Sequence, residues 1–228
     1  MILIDSLPDP LIECDFENVY YPSEDSFLFL DHFRKSIKPT NFDGIDLQEV
    51  DAVLDMGTGT GIIAIFFQML KSINKRFNPR IYASDILKES ILCAKKNETR
   101  NNFTNQITFY QSDLFTNFPS NLKTSFNIIT FNPPYLPSSE FIKHKKKIDY
   151  SWNGGLLGFE LLLRFLKEAK LYLNLKKEHY IYYVSSSKTD LDILNKEIMK
   201  LGYRNEMLRK THFFFEDIYL HRLRRLRD

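Results

Sequence analysis

The sequence predicts an α/β fold, a doubly wound and mostly parallel sheet that ends in an antiparallel hairpin. Three observations predict it. Apolar strand-like runs alternate with helical runs from Ala52 to Leu201. A glycine-rich turn, Gly57-Thr58-Gly59-Thr60-Gly61, joins the first of those strands to the first of those helices. The last two runs, Tyr203–Lys210 and Phe213–Leu220, both read as strands with no helix between them, which calls for an antiparallel pair.

The elements follow in order. The first twenty or so residues are mixed and read as irregular or short strands. Ser23 reads as a helix N-cap, with Glu24 and Asp25 in the first turn, where acids favour the helix dipole. That helix runs through Ser26-Phe27-Leu28-Phe29-Leu30 to about Lys35, and Pro39, Asn41 and Gly44 break it. Ala52–Met56 is a buried strand and Gly61–Ser72 a helix. Arg80–Ser84 is a strand and Leu87–Arg100 a helix. Ile107–Gln111 and Phe126–Phe131 are strands, and Gly158–Leu175 is a long helix. His179–Ser185 is a strand and Lys188–Leu201 a helix. Thr211–Glu216 reads as a turn into the last strand, and His221 to Arg227 as a solvated basic tail. The whole is expected to be one domain: residues 1–45 as a covering segment, residues 46–228 as the core.

Composition narrows the class. The 228 residues are 43% hydrophobic and 26% charged, enough apolar mass for a full core and too much for intrinsic disorder. The longest apolar stretch, Gly61 to Leu70, is far short of a membrane span. Asp5 and Asp9 stand where a secretory signal carries Lys or Arg. Cys14 and Cys93 cannot build a disulfide framework or a zinc cage, and read as reduced thiols of a cytoplasmic protein. Five scattered histidines show no ligand spacing, so no metal is assigned. The net charge of +2 hides a split. Residues 1–60 hold 13 acids and 3 bases; residues 61–228 hold 16 acids and 28 bases. One acidic and one basic face are expected.

The chemistry is expected at the carboxyl ends of the strands, where such sheets bind ligands. The glycine spacing is G-x-G-x-G, unlike the dinucleotide fingerprint. Asp55 precedes it, suits a ligand with an amino group and a positive charge, and would repel a pyrophosphate. Asp85, at the end of the second strand, can hold ribose hydroxyls. Asp113, after the third, can accept from an adenine amino group while Ile86 and Leu114 flank the ring.

Asn132-Pro133-Pro134-Tyr135, after the fourth strand, is the most specific signal. Consecutive prolines fix the backbone and remove two donors. Carbonyl oxygens remain, with the Asn132 side chain as a further acceptor and Tyr135 as a flat face. This set suits a planar –NH2 group, either an amide or a nucleobase amine. Two acceptors, the Asn132 side chain and the Pro133 carbonyl, can bind both hydrogens and aim the nitrogen lone pair at an electrophile.

These residues resemble those of class I S-adenosylmethionine-dependent methyltransferases, and more closely the HemK-like protein-glutamine N5-methyltransferases. The similarity is to the archaeal/eukaryotic branch, which methylates the Gly-Gly-Gln glutamine of class-1 translation termination (peptide release) factors. Three segments carry it: Val19–Asp31, Asn132–Tyr135 and Ser151–Glu160, the last resembling a W-x-G-G-x-x-G-x-E pattern that includes Trp152. The resemblance implies a seven-stranded Rossmann-like methyltransferase sheet and S-adenosyl-L-methionine as cofactor. It implies that Asp55 and Gly57 lie along the methionine moiety, that Asp85 holds the ribose and Asp113 with Leu114 the adenine, and that Gly59, Gly61 and Ile86 also bind the cofactor. It implies that Ser26 closes over the cofactor, that Asn132 touches both cofactor and substrate, and that Asn132, Pro133, Pro134 and Tyr135 grip the substrate amide. Trp152 would line the substrate channel. It also implies a small zinc-containing activator subunit seated on the edge strand Ile107–Tyr110, which is apolar and has no proline or lysine to deter pairing. The sequence departs from the branch in the lysine-rich stretch Lys143-His144-Lys145-Lys146-Lys147, a solvated loop or a contact to a nucleic acid or to an acidic face of a protein substrate. An adenine-N6 methyltransferase on DNA or RNA is the alternative, since an exocyclic amine presents the same geometry. A binding module that has lost catalysis, and a dehydrogenase, fit the acids and the Asn-Pro-Pro-Tyr loop less well.

Overall fold

The computed structural model describes residues 7–137 and 154–226. A short hairpin, β1 (Asn41–Phe42) and β2 (Ile45–Asp46), precedes the main sheet. The sheet holds β3 (Ala52–Met56), β4 (Arg80–Asp85), β5 (Ile107–Gln111), β6 (Ile128–Phe131), β7 (Tyr180–Ser186), β8 (Tyr203–Phe213) and β9 (Glu216–Arg225). Their order is β5-β4-β3-β6-β7-β9-β8. The first five in that order pair in parallel; β9 runs antiparallel to both β7 and β8. Strand order reverses between β3 and β6, which opens a crevice at their carboxyl ends.

Five helices accompany the described sheet: α1 (Glu24–Ser36), α2 (Ile62–Ile73), α3 (Lys88–Arg100), α4 (Glu160–Ala169) and α5 (Leu191–Lys200). All five residues of β3 are buried, as expected of a strand covered on both faces. Its side chains alternate between two cores. Val53 points to one side, with Phe29 and Phe33 of α1 and Phe66 and Phe67 of α2. Leu54 points to the other, with Phe165 of α4 and Leu194 of α5. Phe33 touches the rings of Phe29, Phe42, Phe66, Phe67 and Tyr182. Truncating a phenylalanine so enclosed costs about 3–5 kcal/mol.

Four sequence expectations need correction. Gly158–Leu175 is not one helix: Gly158 is left-handed at φ +83°, so α4 starts only at Glu160. Beyond Ala169 the chain turns, and Leu173 forms a parallel bridge to Phe126. The closing turn falls at Phe214 and Phe215, so β8 runs on to Phe213. Residues 221–225 of the expected basic tail are instead the second half of β9, with His221 buried there, while Arg227 lies outside the described residues. Ser23 does hold the N-cap position, but its side chain caps nothing and instead donates to Glu24.

The β1–β2 hairpin was not expected. Its turn is Asp43-Gly44, both at positive φ, the pairing that two-residue hairpins favour. Asp43 then accepts from His32 Nε2 and from the Tyr182 hydroxyl, each at 2.8 Å. Burial works against its charge, but the His32 and Tyr182 bonds prevail and hold the carboxyl below its ordinary range. The hairpin is thereby tied to α1 and β7.

A cofactor crevice with a braced substrate loop

A cavity of about 700 Å³ opens at the carboxyl ends of β3, β4 and β6. Residues 18–26 form one wall, the glycine turn after β3 the floor, and Asn132–Tyr135 the opposite wall. The N-terminal segment reaches the cavity by running along α3. Asn101 Nδ2 donates to the Leu11 carbonyl at 2.8 Å, and the Glu13 amide donates to Asn97 Oδ1 at 3.0 Å.

Asp55, the penultimate residue of β3, is buried. Its carboxylate accepts from Thr58 Oγ1 at 2.6 Å and from Thr130 Oγ1 at 2.8 Å. Burial outweighs those bonds and raises its pKa to about 6. Asp85 ends β4, where its two oxygens accept from the Gly59 and Leu87 amides, each at 2.9 Å. Burial raises its pKa too. Two buried carboxylates on one crevice create a demand for positive charge and for hydroxyl donors.

The structure brings together most of the site residues singled out from the sequence. Ser26, Asp55, Gly57, Gly59, Asp85, Ile86, Asp113 and Leu114 line the cavity, with Asn132, Pro133, Pro134 and Tyr135 opposite. Gly61 does not line it; it is the left-handed N-cap of α2, packed against Ala94 of α3. Asp113 stands half-exposed at the rim and pairs with Arg164 of α4. Trp152 and Lys143–Lys147 lie outside the described residues.

The Asn132–Tyr135 loop is held from two sides. Tyr135 donates its hydroxyl to Asp25 Oδ2 at 3.2 Å, and Tyr20 donates to the same oxygen at 3.0 Å. Asp25 Oδ1 accepts from the Ser26 amide at 2.6 Å and from Ser26 Oγ at 3.1 Å. Burial, and then the Asp25 charge, push the Tyr20 and Tyr135 hydroxyls well above the ordinary tyrosine range, so both stay protonated donors. From the other side, the segment before α4 folds back on the loop. The Gly154 amide donates to the Leu136 carbonyl at 2.9 Å. A Cβ at Gly154 would stand 2.6 Å from the Pro134 carbonyl oxygen, and one at Gly158 would stand 2.7 Å from that of Tyr135. No side chain fits either space, which accounts for the glycines of this segment. Asn132 Oδ1 is fully shielded and has no hydrogen-bond partner among the described residues. A shielded acceptor without a donor is destabilising, and a bound amine or amide would relieve that penalty.

Several contributors do not show in the sequence. Tyr20, Thr58, Thr130 and Arg164 act through contacts between segments. Asp25 reads in the sequence as a helix-dipole acid and as part of the Val19–Asp31 segment, with no partner indicated. Glu216, at the start of β9, also lines the cavity.

Comparison with known proteins places this geometry. The methyltransferase domain family matches residues 47–209. A provisionally named protein N5-glutamine methyltransferase of Methanocaldococcus jannaschii is 34% identical over 201 residues, 88% of each chain. The chain belongs to the protein N5-glutamine methyltransferases. Methyltransferase HEMK2 of Mus musculus is 27% identical, over 81% of this chain and 82% of its own. Among solved structures, the E. cuniculi Mtq2–Trm112 complex, described as responsible for methylation of the eRF1 translation termination factor, matches with a TM-score of 0.60. The match is 20% identical and covers 91% of this chain and 99% of that one, a likeness of fold.

This methyltransferase uses S-adenosylmethionine, which supplies an electrophilic methyl group when bound. The crevice fits that cofactor. Buried Asp55 and Asp85 suit its positive charge and its hydroxyl groups. Gly57 and Gly59 put no side chain of their own on the floor between them. The shielded Asn132 oxygen belongs to a residue on the wall of the same cavity.

Proposed function

We propose that the enzyme methylates N5 of the glutamine amide in the Gly-Gly-Gln motif of a class-1 translation termination factor. The observation that carries this reading is the shielded, unpartnered Asn132 oxygen on the wall of the same cavity as Asp55. Asn132 Oδ1 accepts one amide hydrogen and the Pro133 carbonyl the other. That pair turns the amide so its nitrogen faces the crevice floor, and it stabilises the charge that grows on nitrogen. Tyr135, held by Asp25, lies along the amide plane. Asp55 and Gly57 lie along the methionine part of the cofactor, Asp85 along the ribose, and Asp113 and Leu114 along the adenine. Arg164 occupies one Asp113 oxygen and leaves the other for the adenine amine. Relatives named for glutamine N5-methylation support an amide over a nucleobase amine.

The partner is a small zinc-containing activator subunit. β5 stands at the end of the sheet, and its outer edge pairs with no described strand. Phe109 and Tyr110 are half-buried on it. A strand added there would complete the sheet and cover both residues. The Trm112 subunit of the E. cuniculi complex supports a partner of this kind. We place the enzyme in the cytoplasm, where termination factors act; no described helix is long and apolar enough to cross a membrane.

The test is co-expression with such an activator, then reaction with a termination factor carrying Gly-Gly-Gln and, separately, with adenine-containing DNA and RNA. Methyl on the glutamine, lost in Asn132→Ala, is the expected result. Methyl on adenine alone would overturn it.

A further inference from the structure

We propose that Cys14 and Cys93 form a thiol pair that a small-molecule disulfide such as glutathione disulfide oxidises to an intramolecular disulfide, pinning the N-terminal wall of the cofactor cavity to α3. The pairing does not depend on which substrate the enzyme methylates.

The segment before α1 lies along α3 with one side turned inward. Glu13, Asp15 and Glu17 are exposed, while Cys14, Phe16 and Asn18 between them are half-buried, the alternation of an extended chain. Cys14 therefore turns toward the protein. On α3, Cys93 and Asn97 stand four residues apart, with Asn101 four further on at the C-cap, so all three share one helix face. That face receives the segment. Asn101 Oδ1 accepts from the Leu11 amide at 2.9 Å, and Asn97 Oδ1 from the Glu13 amide at 3.0 Å.

The register brings the two sulfurs together. The Cys93 thiol donates to the Glu13 carbonyl at 3.5 Å, and that carbonyl belongs to the peptide bond leading into Cys14. Cys93 also meets the Cys14 thiol itself in a hydrogen bond. Both thiols are free. Their surroundings set the order of reaction. Cys14 is half-buried and within reach of a small oxidant, while Cys93 is buried. Burial, and then the Cys14 thiol, raise the pKa of Cys93, so Cys93 is the poorer first nucleophile.

The chemistry is two thiol–disulfide exchanges. Cys14 loses its proton and its thiolate attacks one sulfur of glutathione disulfide. The S–S bond of the oxidant breaks, and one glutathione leaves as thiolate and takes up a proton. Cys93 then loses its proton and attacks the Cys14 sulfur of the mixed disulfide, and the second glutathione leaves in the same way. Two protein thiols are oxidised, and one glutathione disulfide is reduced to two glutathiones.

The pair stands where a tie acts on the cofactor site. Asn18, Tyr20 and Ser23 follow Cys14 closely and line the cavity, as does Ser90, one turn before Cys93 on α3. Much of what holds the segment to α3 is polar and borders solvent, including the ion pairs of Glu13 with Arg100 and of Asp15 with Lys96. Exposed pairs contribute little each, and segments held in this way open at low cost. A disulfide adds a covalent bond to those contacts and slows the parting of the wall from the cavity.

The test incubates the folded full chain with glutathione disulfide, blocks remaining thiols with N-ethylmaleimide and maps the peptides without reduction. The expected product is a monomer carrying a Cys14–Cys93 cross-linked peptide, with no glutathione retained, and dithiothreitol should reverse it. Cys93→Ser should stop at a glutathione adduct on Cys14. Cys14→Ser should stay unmodified, since Cys93 is 1% exposed. In the oxidised wild type, stopped-flow release of S-adenosylhomocysteine should slow by about tenfold or more, each factor of ten being about 1.4 kcal/mol on the opening step, and should recover on reduction. Oxidised and reduced wild type are the same chain, so this comparison does not depend on how either variant folds. A stable glutathione adduct on wild-type Cys14, a disulfide between two chains, or a cross-link that forms only in denaturant would overturn the pair. A Cys14–Cys93 disulfide that leaves the release rate unchanged would overturn the pinning of the cavity wall.

Discussion

Tyr135 and Asp25 stand 110 positions apart in the chain, yet the tyrosine hydroxyl donates to the carboxylate at 3.2 Å. The bond joins the Asn132–Tyr135 loop to the first turn of α1, which borders the same cavity. Tyr20 donates to the same oxygen, so the covering segment and the substrate loop share one acceptor. One carboxylate thereby fixes the position of both.

That coupling is measurable in a double-mutant cycle. Tyr135→Phe and Asp25→Asn should each lower kcat/KM on the glutamine substrate. Together they should cost less than the sum of the two, with a coupling energy of about 1 kcal/mol or more. Tyr20→Phe leaves the Tyr135 bond in place and should show smaller coupling to Tyr135→Phe. Strict additivity of Tyr135→Phe and Asp25→Asn would show that the bond does not organise the loop.

Asp55 should make cofactor binding and stability respond to pH in opposite senses. Its folded pKa is about 6, raised by burial from an ordinary 3.8. A raised carboxyl pKa adds stability at low pH and loses it as pH rises through about 6. At pH 7 the ionised group therefore destabilises the protein without cofactor, by up to about 3 kcal/mol. Asp55→Asn should melt higher than wild type at pH 7, and the difference should vanish near pH 4. The cationic cofactor needs the ionised form. Wild-type affinity for S-adenosylmethionine should weaken by roughly tenfold per pH unit below 6, and calorimetry of Asp55→Asn should find weak, pH-independent binding. A variant that melts lower than wild type at pH 7 would contradict the burial account.

The start of α2 offers a test of packing independent of catalysis. A Cβ on Gly61 would lie 2.9 Å from the Ala94 Cβ, on a residue already at φ +88°. Gly61→Ala should destabilise by about 2–4 kcal/mol, from overpacking and the left-handed backbone together. Adding Ala94→Gly removes the nearest contact but leaves the Ala94 Cα at 3.1 Å, and a glycine inside α3 costs about 1 kcal/mol of its own. Denaturant titration of Gly61→Ala, Ala94→Gly and the double variant closes the cycle. A double variant less costly than the sum of the two single ones is the expected result, and strict additivity would mean that the Ala94 Cβ contact contributes nothing.

The parts of this molecule written as local pattern were legible in the sequence. β3 reads as a strand because both of its faces are buried, and the glycine turn follows it at once. The Asn132–Tyr135 loop was legible because two prolines constrain it whatever surrounds them. Asp25 was not, because its role is set by Tyr20 and Tyr135 rather than by its own helix. The expected extension of α4 failed for a related reason. Leu171, Tyr172 and Leu173 continue the apolar spacing, but Leu173 is taken up by a bridge to Phe126. Strands of two residues carry no periodicity, so β1 and β2 were signalled only by Asp43-Gly44. His221 was misplaced because the arginines around it resemble a solvated tail, while the alternation that buries it appears only once β9 is paired with β7.

His221 gives the last prediction. It shares a hydrogen bond of 2.8 Å with Ser185 Oγ and stacks on Tyr183 with ring centres 4.7 Å apart. Burial lowers its pKa from 6.5 to about 4. The folded protein thus holds it neutral at pH values where the unfolded chain protonates it. Its contribution to stability is present above pH 6.5 and is lost as pH falls from 6.5 toward 4. The full loss is roughly 3 kcal/mol, the free-energy equivalent of moving the pKa that far. His221→Gln keeps a hydrogen-bonding partner for Ser185 and removes the titration. Melting temperatures from pH 7.5 to 4.5 should fall less steeply in this variant, with the two curves converging at the acid end. Parallel curves would mean that the imidazole charges as readily in the fold as in water, and that its place between Tyr183 and Ser185 excludes no proton.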